Sequence, residues 1–411
     1  MRAFFIDGKR PIRSLGVLLV IATIGTRSPA QTTWIVDSLN QPGANFTNIQ
    51  AAVNAAADGD RVIVRGNGLN SGSTIVSYAS PTIDGKGLTI LGTGTLPAFL
   101  YGDCVIRNLG ASQRVVLTGL ALGFSPGFTA GSTLFDIHAS NNRGTVILDQ
   151  DTISIWNNVF FSQRFVDCDL VMITRCNVMT LSQLGIVRSH VAILGSQVLK
   201  VLPDDIPIQH ALVLTSSTLW LADSRIEGDS GNANYPNILG AAIYSDPSVV
   251  YVGHGTTLLG GGIHPRISAV ERMFGNPSPP PAILHWDQSD PSIVVDGPPL
   301  WIVQSQPVAA LQFHESAGTL SLDQKSIPLS LTLLCAAPIQ TAPWVTIAGP
   351  AYFDPNLVFL SALGVASSTG QTSRSYTIPP GLPPMSLSFQ AFELTPTGGL
   401  ATTNPAVWGI W

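Results

Sequence analysis

Three residues of this chain could carry out acid–base chemistry if the fold brings them together. Asp223 and Arg225 stand two residues apart, and His254 follows Asp223 after 31 residues. A carboxylate and an imidazole can exchange protons with a glycosidic bond, and a guanidinium can hold an acidic sugar. Asp223, Arg225 and His254 are therefore the candidate catalytic residues, provided that the fold places residues so distant in sequence side by side.

A repeated phrase of eight residues indicates such a fold. Its first and third residues are apolar in every copy, and its copies start 20 to 31 residues apart. An inexact period of this size is typical of a solenoid, in which successive coils stack on one another. The copies begin at Val62, Leu88, Val115, Val146, Val171, Val191, Leu219 and Val250.

The pattern within the phrase predicts which side chains face the interior. Alternation of apolar residues at positions one to three is typical of a β-strand. Glycine or a polar residue at positions four and five indicates a corner, after which positions six and eight face inward and five and seven outward. This register assigns Asp223 and His254 to position five of neighbouring coils and Arg225 to position seven. We expect all three on one outward stripe.

Residues 34–60 are predicted to form an N-terminal helical cap. Ile49, Ala52, Val53 and Ala56 recur at helical spacing, and Asp58-Gly-Asp60 ends the helix. The open end of a β-helix exposes core and strand edges, which a helix packed across it covers.

A family resemblance rests on this segment. The run from Phe46 to Val64, FTNIQAAVNAAADGDRVIV, resembles the cap and first turn of pectin-lyase-like right-handed parallel β-helix proteins, and GKGLTILG at 85–92 is similar to their second turn. The resemblance covers about residues 34–260 and implies a right-handed parallel β-helix. It implies no particular activity, because the superfamily includes lyases, hydrolases, esterases and adhesins.

The chain is predicted to have four segments. Residues 1–30 indicate a secretory signal peptide, with basic residues before an apolar run at 15–25 and small residues at Ser28 and Ala30; an uncleaved membrane anchor is the alternative. Residues 31–275 form the capped β-helix. Residues 276–299 are proline-rich and indicate a linker or an irregular C-terminal end of the coil. Residues 300–411 contain short strand-like runs separated by turns, which predicts a small antiparallel β-sandwich.

Composition, cysteine spacing and the remaining acidic residues bear on nucleic-acid binding, disulfides and metal sites. The net charge is −5, and no basic patch indicates nucleic-acid binding. The four cysteines have no zinc or haem spacing, and Cys176 is expected to be a buried thiol rather than half of a disulfide. Asp149 and Asp151 are reminiscent of calcium ligands, but the corner places them on different faces. We therefore expect no metal and no cofactor.

Two functions remain. The first is an exported bacterial β-helix at the cell surface or in the medium, without catalysis, that binds a glycan or acts in adhesion. The second is a polysaccharide lyase or glycoside hydrolase that acts on an extended, acidic or neutral glycan at Asp223, Arg225 and His254. An extended polysaccharide is the expected partner in both cases, with no nucleic acid and no membrane span once the signal peptide is removed.

Overall fold

The computed structural model is an all-β chain dominated by parallel strands. It describes the residues from 31 to 410 apart from short gaps, so the predicted signal peptide at 1–30 lies outside the described residues. The gaps are 67–76, 95, 123–135, 156–162, 181–182, 201–209, 229–239, 247, 254, 261–269, 273–282, 287–290, 296–301, 306–309, 317–318, 347–348, 354–357, 359, 378–384, 397 and 404–405.

Among the described residues, one short helix and 26 strands make up the parallel part of the chain. They are β1 (Thr33–Val36), α1 (Ile49–Ala55), β2 (Arg61–Arg65), β3 (Ser77–Ala79), β4 (Thr82–Asp84), β5 (Leu88–Thr93), β6 (Ala98–Tyr101), β7 (Cys104–Arg107), β8 (Arg114–Thr118), β9 (Leu120–Leu122), β10 (Ile137–Asp149), β11 (Thr152–Ile155), β12 (Gln163–Thr174), β13 (Asn177–Thr180), β14 (Leu184–Val187), β15 (His190–Leu194), β16 (Gln197–Lys200), β17 (Leu212–Thr215), β18 (Thr218–Ala222), β19 (Arg225–Glu227), β20 (Ile243–Asp246), β21 (Val249–Val252), β22 (Thr257–Leu259), β23 (Val270–Arg272), β24 (Ile283–Trp286), β25 (Val294–Val295) and β26 (Ile302–Ser305).

These strands form three parallel faces of a solenoid. The third face is a nine-stranded sheet that runs from β3 to β25. The first face (β4, β7, β14, β17, β20, β23) and the second face (β1, β2, β5, β8, β15, β18, β21, β24, β26) belong to one 17-stranded sheet, because the long strands β10 and β12 run through both. The architecture is compatible with the predicted parallel β-helix.

The predicted stacking of the phrase is confirmed through most of the solenoid. Val171 lies opposite Val191, Val191 opposite Leu219, and Leu219 opposite Val250. All four are fully buried. The apolar first position of the phrase therefore forms a continuous row along the interior, as the period required.

The first copy of the phrase pairs two residues away from the predicted register. Val62 lies opposite Ile90 rather than Leu88, while Leu88 lies opposite Val115 in the next coil. A shift of two residues leaves every inward side chain inward, since strand side chains alternate with period two. The apolar pattern is therefore the same in both registers, and it could not distinguish them.

Lines of hydrogen-bonding side chains fill two corners of the interior. The backbone N–H of Cys176 donates to Ser196 Oγ at 3.0 Å, and the N–H of Ser196 donates to Ser224 Oγ at 3.3 Å. At the corner between the first and second faces, Ser189 and Ser217 donate in the same way to the serine of the following coil. A serine at each of these two corners thus supplies a partner for a buried backbone N–H of the preceding coil.

The outer side of the second face carries a second apolar cluster that the phrase did not predict. Position two of successive copies contributes Val116, Ile147, Met172, Ala192 and Trp220, all of which are buried. Strand β29 (Leu331–Thr346) of the C-terminal part lies against β10 and β12. The C-terminal part therefore contacts the solenoid.

Helix α1 packs against the beginning of the solenoid. Ile49, Ala52 and Val53 are buried in the same core cluster as the first strands, and α1 contacts β1 to β4. Asp60 accepts hydrogen bonds from the backbone of Thr32 and Ala57 and from the indole of Trp34. That α1 covers an open end as a cap stays a prediction. No helix in the described ranges is long and apolar enough to cross a membrane.

The parallel ladder continues through the predicted linker. Strand β24 pairs with β21 on one side and β26 on the other, and β25 pairs with β22. The ladder therefore extends beyond residue 275 to Ser305, and residues 276–299 contain two of its strands. The prolines of this segment stand outside β24 and β25, so they remove no hydrogen bond from these strands.

The C-terminal strands form antiparallel sheets. Strands β27, β28 and β32 make one sheet, and β29 with β30, β31, β33, β34 and β35 makes another. Leu311, Leu320 and Leu322 of the first share a buried cluster with Leu334 and Phe389 of the second. Their bounds are β27 (Ala310–Ser316), β28 (Thr319–Lys325), β29 (Leu331–Thr346), β30 (Gly349–Phe353), β31 (Leu360–Val365), β32 (Gln371–Thr377), β33 (Met385–Leu394), β34 (Leu400–Thr402) and β35 (Ala406–Ile410).

Candidate functional site

The corner between the second and third faces determines where the predicted site residues point. Each coil places one residue there with positive φ, where glycine is favoured and other residues are uncommon. The backbone N–H of Gln150 donates to Thr174 O in the next coil, and that of Arg175 donates to Leu194 O. The residues with this conformation at the corner are Gly119, Gln150, Arg175, Gly195, Asp223 and Gly255, with φ between 48° and 72°.

Gly255 occupies the corner position next to Asp223 in the following coil, a position that the phrase had assigned to residue 254. Thr257 lies opposite Arg225, so the last copy of the phrase has one residue more than the others. A Cβ atom on Gly255 would come within 2.8 Å of Asp223 Oδ1. Two glycines flank His254, and the repeat could not show which of them turns the corner. His254 itself lies outside the described residues, so its position relative to Asp223 is not described.

Arg225 forms an ion pair within its own strand. Its Nε and Nη2 donate to Glu227 Oε2 at 3.1 and 2.7 Å. Both side chains are substantially exposed, at 49% and 34%, and exposed pairs of this kind contribute at most about 1 kcal/mol. The structure thus joins Arg225 to Glu227, which the sequence analysis missed although strand alternation places both on one side.

The outer side of the third face carries a stripe of polar side chains at one residue per coil. Asn177, Gln197 and Arg225 lie directly opposite one another in successive coils and are exposed. Parallel strands are about 4.8 Å apart, so these side chains repeat at that step. A parallel row two residues on is partly buried and consists of Met179, Leu199, Glu227 and Leu259. We call the two rows together the third-face stripe.

A second group of ionisable side chains lies on the first face. The carboxylate of Asp136 accepts a hydrogen bond from the Ile137 N–H and contacts Arg164 Nε, and His138 Nε2 lies 3.2 Å from its Oδ2. The side chains of Asp136 and Arg164 are fully buried, whereas one third of His138 is exposed. We call Asp136, His138 and Arg164, with the neighbouring Asp103, the first-face cluster.

The first-face cluster has shifted proton equilibria. The hydrogen bond from His138 to Asp136 raises the pKa of His138, against the effect of its partial burial. Burial and the charge of Asp136 raise the pKa of Asp103. An imidazole held by a carboxylate can donate and accept protons near neutral pH. The sequence analysis missed this cluster because its residues stand outside the phrase, although Asp136 and Arg164 are 28 residues apart, a typical coil length.

Asp149 and Asp151 lie on opposite sides of the chain, as predicted. Asp149 accepts two hydrogen bonds from Arg175 Nη2 and one from Arg175 Nε on the outside. Asp151 points into the solenoid, where its Oδ1 accepts a hydrogen bond from the Leu120 N–H. Among the residues that the structure describes, no three histidine, cysteine or acidic side chains are grouped closely enough to hold a metal ion.

Cys176 is a buried free thiol, as predicted. The other three cysteines are also buried and free. Burial raises the pKa of Cys104 to about 12 and that of Cys168 to about 11. These thiols therefore stay protonated and unreactive at neutral pH.

Comparison with known proteins gives no functional assignment. No protein-family model matches the chain, and no curated protein matches it. The geometry of the third-face stripe and of the first-face cluster is therefore the basis for a functional proposal.

Proposed function

We propose that this chain is an exported bacterial protein of the pectin-lyase-like right-handed parallel β-helix type that binds an extended polysaccharide without cleaving it. The stacked parallel coils and the helix packed against β1 to β4 support this family. The composition of residues 1–30 supports export to the cell surface or the medium. The binding site is the third-face stripe.

The observation that carries the proposal is the regular step of that stripe. Asn177, Gln197 and Arg225 present hydrogen-bonding groups at one position of three consecutive coils, with no backbone irregularity between them. A polymer that runs along the solenoid axis meets the same kind of group at each coil. The partly buried Met179 and Leu199 beside them offer apolar contact to the carbon-bound hydrogens of a sugar ring.

The same residues argue for binding rather than cleavage. A catalytic acid is usually buried beside groups that shift its pKa, because it must hold a proton near neutral pH. The acidic residue of the described stripe is Glu227, which is engaged by Arg225, and Asp223 at the adjoining corner is exposed. These carboxylates suit hydrogen bonding to sugar hydroxyls.

A glycan array followed by calorimetry tests the proposal. We expect binding to a polysaccharide or long oligosaccharide, and a loss of affinity of at least about tenfold when Asn177, Gln197 and Arg225 are replaced together by alanine. Arg188→Ala is the matched control, since Arg188 is also an exposed arginine in an ion pair, with Asp167, but lies at another corner. Equal affinity in the triple variant, or equal loss in the control, would place the site elsewhere.

The first-face cluster favours a second candidate function, namely acid–base cleavage of an acidic polysaccharide. His138 has one nitrogen held by Asp136, and one third of its side chain is exposed, so the imidazole is placed to exchange a proton with a bound substrate. In a β-elimination, the imidazole takes the proton beside the uronate carboxylate. The electron pair left behind forms the carbon–carbon double bond, and the glycosidic oxygen leaves and is protonated by water.

An assay for unsaturated and reducing products over acidic polysaccharides distinguishes the two functions. If the first-face cluster is catalytic, His138→Gln abolishes turnover while His190→Gln on the second face retains it. The raised pKa of His138 means that the imidazole becomes a free base only above its usual titration range. Activity should therefore rise as the pH increases through the ordinary histidine pKa of about 6.5 and continue to rise above it. Lack of any product with the unaltered chain supports the binding function alone.

A further inference from the structure

The C-terminal part exposes a group of aliphatic side chains on one sheet. Six of them lie on β29, β31, β33 and β34, and their exposure is large for leucine and valine, which are usually buried. They are Leu331 (40%), Leu333 (37%), Leu363 (69%), Val365 (64%), Leu394 (43%) and Leu400 (46%).

Strand register makes these side chains one continuous surface. Leu331 lies opposite Val365 on one neighbouring strand and opposite Leu394 on the other. Leu333 lies opposite Leu363, and Leu394 lies opposite Leu400. Residues directly opposite one another point to the same side of a sheet. We call these six residues the apolar sheet face.

The chemistry of this face restricts its partner. Strands β29, β31, β33 and β34 contain a single charged residue, Glu393, which is fully buried and accepts a hydrogen bond from Gln324. The face therefore offers no cation to nucleic acid or to an anionic lipid surface. None of its six described side chains is charged or carries an amide that could bind a glycan. A second apolar protein surface is the partner that fits.

We propose that the apolar sheet face is the interface of a homodimer. A two-fold interface brings the same patch of both copies together, so the patch must complement itself. A neutral, aliphatic sheet face meets this condition, because two copies can pack face to face at about 10 Å without bringing like charges together. Leu329 extends the face at one end, with 61% of its surface exposed.

The area of the face agrees with a dimer of moderate affinity. With Leu329, the exposed fractions correspond to about 600 Å² of apolar surface, at the upper end of what the largest patch on a monomer shows. A standard interface buries about 800 Å² per partner, and such interfaces have an apolar centre with a polar rim. Ser367, Ser368 and Thr369, which follow β31 after one residue and are exposed, supply polar groups at its edge.

Sedimentation velocity and light scattering on the full chain test the dimer. We expect a dimer at micromolar concentration, and a dissociation constant at least about tenfold higher when Leu363 and Val365 are both changed to aspartate. Both positions are more than 60% exposed, so the monomer should fold, and an unchanged melting temperature at high dilution checks this. Leu39→Asp is the control, because Leu39 is 42% exposed on the N-terminal part.

Three results would overturn the dimer. One is a chain that is still monomeric at a protein concentration 100 times the expected dissociation constant. Another is a Leu363→Asp, Val365→Asp variant that dimerises as well as the unaltered chain. The third is a monomer that floats with neutral phosphatidylcholine vesicles through this face, which would make lipid its partner.

Discussion

At the scale of single residues, the interior of the solenoid contains ionisable groups in places that usually hold small or apolar ones. Asp151 occupies the inward corner position that Cys176, Ser196 and Ser224 occupy in other coils, and it is 1% exposed. The alternation predicted only that Asp149 and Asp151 lie on different faces. It could not predict the consequence for protonation, which depends on what packs around the carboxyl group.

Asp151 is expected to make the chain less stable as the pH rises. Burial raises its pKa well above the usual value, and the charge of Asp149 adds to this. The folded chain keeps a proton that the unfolded chain releases above about pH 4, so the free energy of unfolding falls as the pH passes through the raised pKa. Asp151→Asn should remove this slope, at about 1.4 kcal/mol per unit of pKa shift.

Thermal unfolding of both proteins between pH 4 and pH 9 measures the effect of Asp151. The slope of melting temperature against pH is the readout, since asparagine itself changes the absolute stability. Parallel curves for the two proteins would mean that Asp151 ionises normally in the folded chain.

His210 is expected to act in the opposite direction. Its ring stacks on Tyr244 at 4.2 Å, and the Ala241 N–H donates to its Nδ1 at 2.9 Å. Burial lowers its pKa to about 4. The unfolded chain binds a proton below about pH 6.5 and the folded chain does not until about pH 4, so stability falls over this range as the pH falls. His210→Asn keeps a hydrogen-bond acceptor and should lessen that loss of stability, which acid denaturation measures. An unchanged loss of stability at acidic pH in the variant would contradict the prediction.

At the scale of strands and corners, the sequence predicted directions better than registers. Alternation correctly indicated that Val171, Val191 and Leu219 stack inside. It could not separate registers that differ by two residues, as at Val62, and it placed the last corner one residue too early because Gly253 and Gly255 both suit a turn. The first-face cluster was missed because its residues stand outside the repeated phrase. Asp136 and Arg164 are one coil length apart, but they differ in residue type, so no repeat revealed them.

The inward corner position is expected to reject large side chains. Ser196 Oγ lies 3.0 Å from the backbone nitrogen of Cys176 and 2.9 Å from Leu194 O, so no space remains for a ring. Ser196→Phe should cost on the order of 1–3 kcal/mol or more. Chemical denaturation measures this, with Ser373→Phe on the exposed side of β32 as the control. Equal midpoints in the two variants would show that the corner tolerates volume.

At the scale of the whole molecule, the proline content did not indicate where the parallel ladder ends. The prolines between residues 276 and 299 indicated a linker, yet β24 and β25 occupy the gaps between them and continue the ladder. Proline forbids a strand only where its missing N–H is needed. The antiparallel pairing beyond residue 310 was predictable from its runs and turns. The contact of β29 with β10 and β12 was not, because it depends on surfaces that no local pattern describes.

Hydrogen exchange is expected to show that the end of the ladder is part of the solenoid. The backbone of Ile283–Trp286 is paired on both sides, with β21 and with β26. Its amides should therefore exchange as slowly as those of Val249–Val252, since both strands open only with the coils around them. Mass spectrometry of peptic fragments gives the two rates. Exchange within seconds at Ile283–Trp286 would restore the linker interpretation.

The line of serines at the corner advances by one residue per coil, so a whole coil can be removed without breaking the line. Ser196 Oγ accepts a hydrogen bond from the Cys176 N–H in the coil before it, and the Ser196 N–H donates the equivalent bond to Ser224 Oγ in the coil after it. Deletion of residues 191–218 would join His190 to Leu219, set Leu219 against Val171, and bring Ser224 to the N–H of Cys176. Recombination between the gene segments that encode two coils can therefore add or remove a whole coil. Each such event would change the length of a surface stripe along the solenoid axis by about 4.8 Å.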